Sequence, residues 1–273
     1  MDALPREILL HIFSHVHDFE SLANISQVNR HWRHLCQCPL LWKSRQLRIQ
    51  PNSICAQNMN MFRNELSHLE IVDMSEGIVA PDQLGLFQHY ARNLRRIDLS
   101  NCELDHSSLV GLPFVTDLRL ARCCNVSVAF AGIQSWPKLC SLDLTSSFLS
   151  DEMLVDVLQG CRTTLRHLVL KFALTNEKSL VQAFSGELLL ETLDVSHNVE
   201  VSTGVLRAIG TSCLQLRLLN VSNCDSLTRA DVDLLQRYFT HPVEVIHTAI
   251  LEDDSVESIS NYILAIAAAQ PVS

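Results

Sequence analysis

No stretch of this chain approaches the ~20 consecutive apolar residues of a membrane-spanning helix; the longest near-apolar stretch, Tyr262 to Ala269, is far too short. The first twenty residues hold Asp2, Arg6, Glu7 and three histidines without a long apolar run, so no secretory leader is expected. Glycine is scarce: eight residues, scattered singly, cannot assemble a phosphate-cradling loop. Lysine and arginine are not clustered, and the formal net charge is −9, which argues against a nucleic-acid or anionic-membrane surface. Metal chemistry is equally thin. Cys36-x-Cys38 with His31 and His34, and the His11/His15 pair, lack the ligand set a tetrahedral zinc site requires. No cysteine has a recognisable His–Asp arrangement for nucleophilic catalysis. These absences predict a non-catalytic protein without cofactor or metal, in the cytoplasm or nucleus.

What the chain does have is periodicity. Between Leu66 and Ile246 one nine-residue pattern returns eight times, most clearly as Leu94-x-x-Ile97-x-Leu99-x-x-Cys102 and Leu216-x-x-Leu219-x-Val221-x-x-Cys224. Starts at Leu66, Leu94, Val115, Leu139, Leu165, Leu190, Leu216 and, weakly, Val243 give steps of 28, 21, 24, 26, 25, 26 and 27 residues. That spacing lies in the leucine-rich-repeat range of roughly 20–29 residues. The alternating core of each copy reads as a strand with one buried face. Helical apolar spacing follows it, as at Met153, Leu154, Val157 and Leu158. One strand and one helix cannot bury their faces alone, so such units must stack. The fold class is therefore an α/β solenoid, a horseshoe of strand–loop–helix units. The third repeat is short, and a full helix is not expected there.

The ten cysteines fit this scheme better than a disulfide framework. Cys102, Cys123 and Cys224 fill position nine of the pattern, and Cys161 and Cys213 precede a repeat start. A small, weakly polar, buried side chain suits both places, so reduced structural thiols are expected.

Residues 1–45 follow another logic. Leu4, Pro5, Ile8, Leu9, Ile12 and Phe13 trace one face of a helix opened by proline. Leu22, Ile25, Val28, Trp32 and Leu35 continue that spacing through a second helical segment, and Pro39-Leu40-Leu41-Trp42 closes a small all-α module. The runs "LPREILLHIFSHV", "SLANISQVNRHWRHL" and "PLLWK" resemble an F-box, with Asn29 standing where many members carry cysteine. With the repeats behind it, the chain resembles the F-box/leucine-rich-repeat family. That resemblance implies a substrate receptor of a Skp–cullin–F-box ubiquitin ligase. It places Leu4, Pro5, Ile8, Leu9, Ile12 and Phe13 against a Skp-type adaptor, with Val28, Trp32, Leu41 and Trp42 shared between module core and adaptor. The adaptor would bring a cullin scaffold, and the repeats would hold a protein substrate. A ligase-independent scaffold is the alternative, and an enzyme with a thiol site at Cys36–Cys38 is the weaker rival.

Residues 46–63 are expected to form a linker and a capping helix before the repeats of 64–250. Odd positions of each strand should face the concave side. Position five then reads Glu70, Asp98, Arg119, Asp143, Val169, Asp194 and Asn220. Asp98, Arg119, Asp143, Lys171 and Asp194, with Phe172 as an aromatic anchor, make a candidate substrate site; the competing reading is a merely solvated strand. Residues 251–273 open on Glu252, Asp253 and Asp254 and carry an apolar stripe at Val256, Ile259, Ile263 and Ile266. This segment fits a capping helix, a tail over the concave face, or a partner-binding helix.

Overall fold

Two helices of the N-terminal module start at a short polar side chain that accepts a first-turn amide, and one starts behind a proline. The computed structural model describes residues 4–43, 46–50, 56–79, 81–105, 109, 112, 114–130, 137–173, 175–239 and 241–247. Helix α1 (Arg6–Ser14) begins behind Pro5 and buries Leu9 and Phe13. Helix α2 (Phe19–Val28) is capped by Asp18, whose carboxylate accepts the Ser21 amide at 2.6 Å. The apolar spacing from Leu22 to Leu35 does not form one helix. Asn29 is extended (φ −159°, ψ 174°), and its side chain accepts the Trp32 amide at 2.8 Å to start α3 (Arg30–Cys36). Asn29 is thus a helix cap, a role worth ~1 kcal/mol. A 3₁₀ turn over Pro39–Leu41 then carries Trp42 into the core, where its indole N–H donates to the Cys36 carbonyl at 2.8 Å.

The rest is a parallel sheet with a helical outer layer. Strand β1 (Gln46–Arg48) and helix α4 (Ala56–Met61) lead to β2 (Ile71–Asp73), β3 (Gly77–Val79) and α5 (Pro81–Tyr90). There follow β4 (Arg96–Asp98), β5 (Cys102–Leu104), β6 (Asp117–Arg119), α6 (Val126–Ala129), β7 (Ser141–Asp143) and α7 (Asp151–Gly160). The last elements are β8 (His167–Val169), α8 (Glu177–Ala183), β9 (Thr192–Asp194), α9 (Thr203–Ser212), β10 (Leu218–Asn220), α10 (Arg229–Leu235) and β11 (Glu244–Ile246). Nine strands pair in the order β1-β2-β4-β6-β7-β8-β9-β10-β11, and β3 pairs with β5 beside them. Among the described residues, the short third repeat has the four-residue helix α6. Trp136 and residues 251–273 lie outside the described residues.

Strand pairing corrects the expected phase at both ends. Ile71 pairs with Arg96, so the first repeat starts at Leu69, not Leu66. A slip of three residues is odd and exchanges the faces of a strand. Val72 therefore points into the core, and Ile71 and Asp73 occupy the concave side. Leu218 pairs with Glu244, which moves the last start from Val243 to Pro242. Residues 46–48, expected as linker, are the first strand of the sheet, with Leu47 and Ile49 buried like the corresponding pairs from Val72/Met74 to Leu219/Val221. The module is joined to this strand directly. The Arg48 amide donates to the His17 carbonyl at 2.7 Å, and Phe62 lies 5.1 Å from the Trp42 ring and 5.7 Å from Phe19. One hydrophobic core runs from Leu9 to Val243.

Two positions of the pattern explain the turn after each strand. At position eight, Glu76, Asn101, Arg122, Ser146, Phe172, His197 and Asn223 all have φ between 53° and 68°. This left-handed turn aims the position-eight amide at the next repeat, as where Asn101 donates to the Ala121 carbonyl at 2.8 Å. At position nine a buried donor reaches back to the position-six carbonyl of the preceding repeat. Cys102 donates to Met74 (3.1 Å), Cys123 to Leu99 (2.9 Å), Ser147 to Leu120, Asn198 to Leu170 (2.8 Å) and Cys224 to Val195 (3.3 Å). Cys102, Cys123 and Cys224 belong to this ladder.

Candidate docking surfaces

The first surface is the N-terminal module. Leu4, Ile8 and Ile12, four residues apart, form one exposed stripe on and before α1, with Pro5 beside them. Ile8 is 46% exposed and Ile12 45%. Val28, at the end of α2, is 60% exposed, and Leu40 in the 3₁₀ turn 79%. Unpartnered aliphatic side chains at this density on one small module mark an interaction surface. Leu9 and Phe13, expected against the adaptor, are instead buried in the core, and Leu41 and Trp42, expected to be shared between core and adaptor, are buried there too. Ile8 and Leu9 are adjacent on a helix, so only one of them can face outward. Leu9 and Phe13 therefore fix the helix that presents Ile8 and Ile12. Trp32 is half-buried, its ring edge-on to Phe13 at 5.3 Å. Leu40 was missing from the expected set. The Leu40-Leu41 doublet held the signal, since a tight turn buries only one of two neighbours. An open cavity of about 590 Å³ beside Leu40, lined also by Ser14, His17, Lys43, Arg48 and Asp73, marks the seam with the sheet.

The second surface is the solenoid's concave side. Here the position-five carboxylates first serve their own backbone. Asp73, Asp98, Asp143 and Asp194 each accept the position-seven amide two residues on, at 2.9–3.0 Å, and Asn220 does the same with its amide oxygen. This Asx turn rationalises the repeated Leu-Asp-Leu-Ser run. Arg119 sits 3.7 Å from Asp98, and Arg96 3.7 Å from Asp117, so the half-buried N-terminal part is a mixed-charge lattice. Asp143 and Asp194, expected to meet a substrate, are buried; Asp194 accepts the Asn220 side-chain amide at 3.0 Å. Burial raises the Asp143 carboxyl above its ordinary range, against hydrogen bonds from Thr145. An acidic surface does not extend through this stretch.

Lys171 and Phe172 sit at the strand ends. Phe172 is exposed and stacks on His197 at 4.4 Å, with Lys171 Nζ 5.7 Å from its ring centre. Asn223 Nδ2 lies 3.2 Å from His197 Nε2, which extends the stack to the next repeat. Phe148 and Val199, at position ten of the repeats before and after that of Phe172, are also exposed and were not anticipated. Reading one residue past the position-nine slot would have found them.

Among the described residues no three His, Cys, Asp or Glu side chains group around a metal position. Burial pushes the Cys102 and Cys224 thiols up to about 11 and those of Cys123, Cys161 and Cys213 up to about 12. Such thiols are protonated at neutral pH and poor nucleophiles. No described helix is long and apolar enough to cross a membrane.

Comparison with known proteins agrees with this division. A family model described as F-box-like matches residues 1–48. The chain is 26% identical over 203 residues to the putative F-box/LRR-repeat protein 9 of Arabidopsis thaliana, across 58% of this chain and 82% of that protein. Among solved structures it is similar to TLR13 in its complex with ssRNA13, at 17% identity and a TM-score of 0.49. That match covers 83% of this chain and only 33% of the TLR13 chain. It is also similar to a chain of the yeast Rad7–Elc1 complex, at 13% identity and a TM-score of 0.40, over 88% of this chain and 79% of that one. The chain carries an F-box-like domain at its N-terminus, continues as a leucine-rich-repeat solenoid, and is homologous at low identity to an F-box/LRR-repeat protein.

Proposed function

We propose that the chain is a non-catalytic substrate receptor of a Skp–cullin–F-box ubiquitin ligase. The observation that carries this reading is the exposed apolar stripe of Leu4, Ile8 and Ile12 on a module matched as F-box-like. Val28 and Leu40 supply further apolar surface. A Skp-type adaptor covers these side chains by helix packing and brings the cullin scaffold with it. The substrate is a protein held by the solenoid, on the mixed-charge concave lattice around Asp98 and Arg119 and on the rim at Phe148 and Phe172. The mechanism is positional: a lysine held near a charged ubiquitin-conjugating enzyme gains effective concentration, with no side chain of this chain in the chemistry.

Co-expression with a Skp-type adaptor tests this, alongside an Ile8→Asp/Ile12→Asp variant. A one-to-one complex that recruits cullin, and is lost in the folded variant, is expected. A folded wild-type chain that leaves the adaptor unbound refutes the reading, and an adaptor complex that never recruits cullin favours the scaffold alternative.

A further inference from the structure

The cations of this chain are mostly of one kind. Four lysines stand against seventeen arginines, and no lysine occurs in residues 44–137 or 179–273. Lysine is ordinarily among the commonest residues. Where a cation meets a carboxylate or an aromatic ring, the planar guanidinium has a physical advantage, as at Arg96, Arg119, Arg166 and Arg207. Arg63, Arg92, Arg95, Arg122 and Arg237 have no such reason. All five are exposed on the solenoid, and among the described residues none meets a carboxylate within ion-pair reach or lies over a ring. Water would solvate an ammonium there equally well. What separates the two side chains at such sites is nucleophilicity: a lysine amine can lose its proton and accept an acyl group, whereas a guanidinium stays protonated.

Given the receptor function above, on which this step rests, we propose that the lysine-poor surface keeps the receptor from accepting the ubiquitin it helps to place, and that Lys178 is the acceptor that remains. A module packed directly on the solenoid raises the effective concentration of the solenoid's own amines as well as those of a substrate. Self-modification is then the competing reaction, and scarcity of lysine suppresses it without loss of charge. The four lysines are not equivalent. Lys43 lines the seam cavity beside the exposed Leu40, on the side an adaptor covers. Lys138 Nζ lies 5.5 Å from the Phe114 ring centre and Lys171 Nζ 5.7 Å from that of Phe172, so both ammonium groups are engaged with a ring. Lys178 is exposed in the first turn of α8, and among the described residues it meets neither a ring nor a carboxylate within ion-pair reach. In the transfer, the neutral Lys178 Nζ attacks the carbonyl carbon of the thioester that joins ubiquitin to its conjugating enzyme. The C–N bond forms as the C–S bond breaks; the sulfur leaves as the enzyme's thiolate, and the amine's proton passes to solvent.

Reconstitution of the full chain with a Skp-type adaptor, a cullin scaffold and a ubiquitin-charged conjugating enzyme tests it. Lysine-free ubiquitin lets peptide mass spectrometry count each modified residue, and accelerated discharge of the thioester onto free lysine is read in the same mixture. Arg63→Lys, Arg122→Lys and Arg237→Lys together keep the charge at exposed sites spread along the solenoid. This variant is expected to take up about fourfold more ubiquitin than the native chain, as one free acceptor becomes four. Lys178→Arg is expected to remove most of the native chain's modification, and Lys138→Arg/Lys171→Arg little of it. Introduced lysines that stay unmodified while free lysine is consumed overturn the proposal, because scarcity of acceptors is then not what limits self-modification. Native modification mainly at another lysine, or at none of the four, overturns the assignment of Lys178. An assembly that fails to form, or forms without accelerating discharge onto free lysine, refutes the receptor function itself and this proposal with it.

Discussion

Replacing Leu4, Ile8 and Ile12 together by alanine separates adaptor contact from module folding. Truncating isoleucine to alanine removes three carbons, worth ~2.4 kcal/mol if wholly buried on binding. Ile8 and Ile12 are 46% and 45% exposed and Leu4 41%, so somewhat under half of that area remains for a partner to cover. Each residue then contributes about 1 kcal/mol of affinity, and three contribute about 3 kcal/mol, roughly a hundredfold in Kd. Leu9→Ala gives the opposite pattern. Leu9 is 2% exposed, and its loss costs ~2–5 kcal/mol of stability through the cavity left behind. Titration calorimetry against a Skp-type adaptor, with thermal melts of the same variants, reads both effects. The triple variant should bind weakly and keep the wild-type circular dichroism spectrum, whereas Leu9→Ala should melt several degrees lower. A triple variant that binds within threefold of wild type sinks the assignment of this stripe.

Three further outcomes follow from the solenoid. Asn198 donates to the Leu170, Val195 and Ser196 carbonyls at 2.8, 2.8 and 3.2 Å. Asn198→Ala should cost about 1–3 kcal/mol and Asn198→Cys visibly less, since cysteine fills that slot in other repeats; equal thermal destabilisation by the two would discredit the ladder. His167 is held below its ordinary pKa by burial, with Nδ1 2.9 Å from Thr192 Oγ1. As pH falls through about 6.5 the unfolded chain takes up a proton that the folded chain resists, so stability drops. His167→Gln should flatten denaturant midpoints between pH 7 and 5, and an unchanged slope would exclude His167 as a source. Finally, at pH 8 the exposed Cys124 should react with a thiol reagent well before Cys102, Cys123, Cys161, Cys213 and Cys224. Rapid native-state labelling of Cys161 would contradict its buried placement.

The repeat was legible because positions four and six are apolar in each copy starting from Leu69 to Leu216, as at Ile97/Leu99 and Leu219/Val221. Its first phase was not, because Leu66 and Leu69 are both wholly buried and satisfy the same spacing. Only the hydrogen bonds to β4 choose between them. β1 escaped notice for a related reason, since four residues ahead of the first copy hold no period. On the concave side the sequence reported carboxylates correctly but not their use. An Asx turn is made within two residues by a side chain that a pattern scores as solvated. In the module, helical spacing located Ile8, Leu9, Ile12 and Phe13 together. It could not divide them into partner side and core side, because that division depends on where α3 and Trp42 pack.

The junction between module and solenoid bears on how such a receptor works. A receptor that places a lysine by geometry loses the advantage if its two ends swing freely, because effective concentration falls as a tether lengthens and loosens. Here the described residues of the module pack directly on the solenoid. Trp42 and Phe19 of the module close on Phe62 of the solenoid cap, and the Arg48 amide of β1 is bonded to His17 just ahead of α2. Leu47 and Ile49 continue the same buried rows as the later repeats. Moving the module would require separating aromatic side chains that are at most 1% exposed, and close-packed contacts of that kind resist gradual deformation. The stripe at Ile8 and Ile12 and the lattice at Asp98 and Arg119 therefore stand at a fixed mutual orientation. Under the proposed receptor function, a substrate's reach toward the ligase is set by which repeat it occupies.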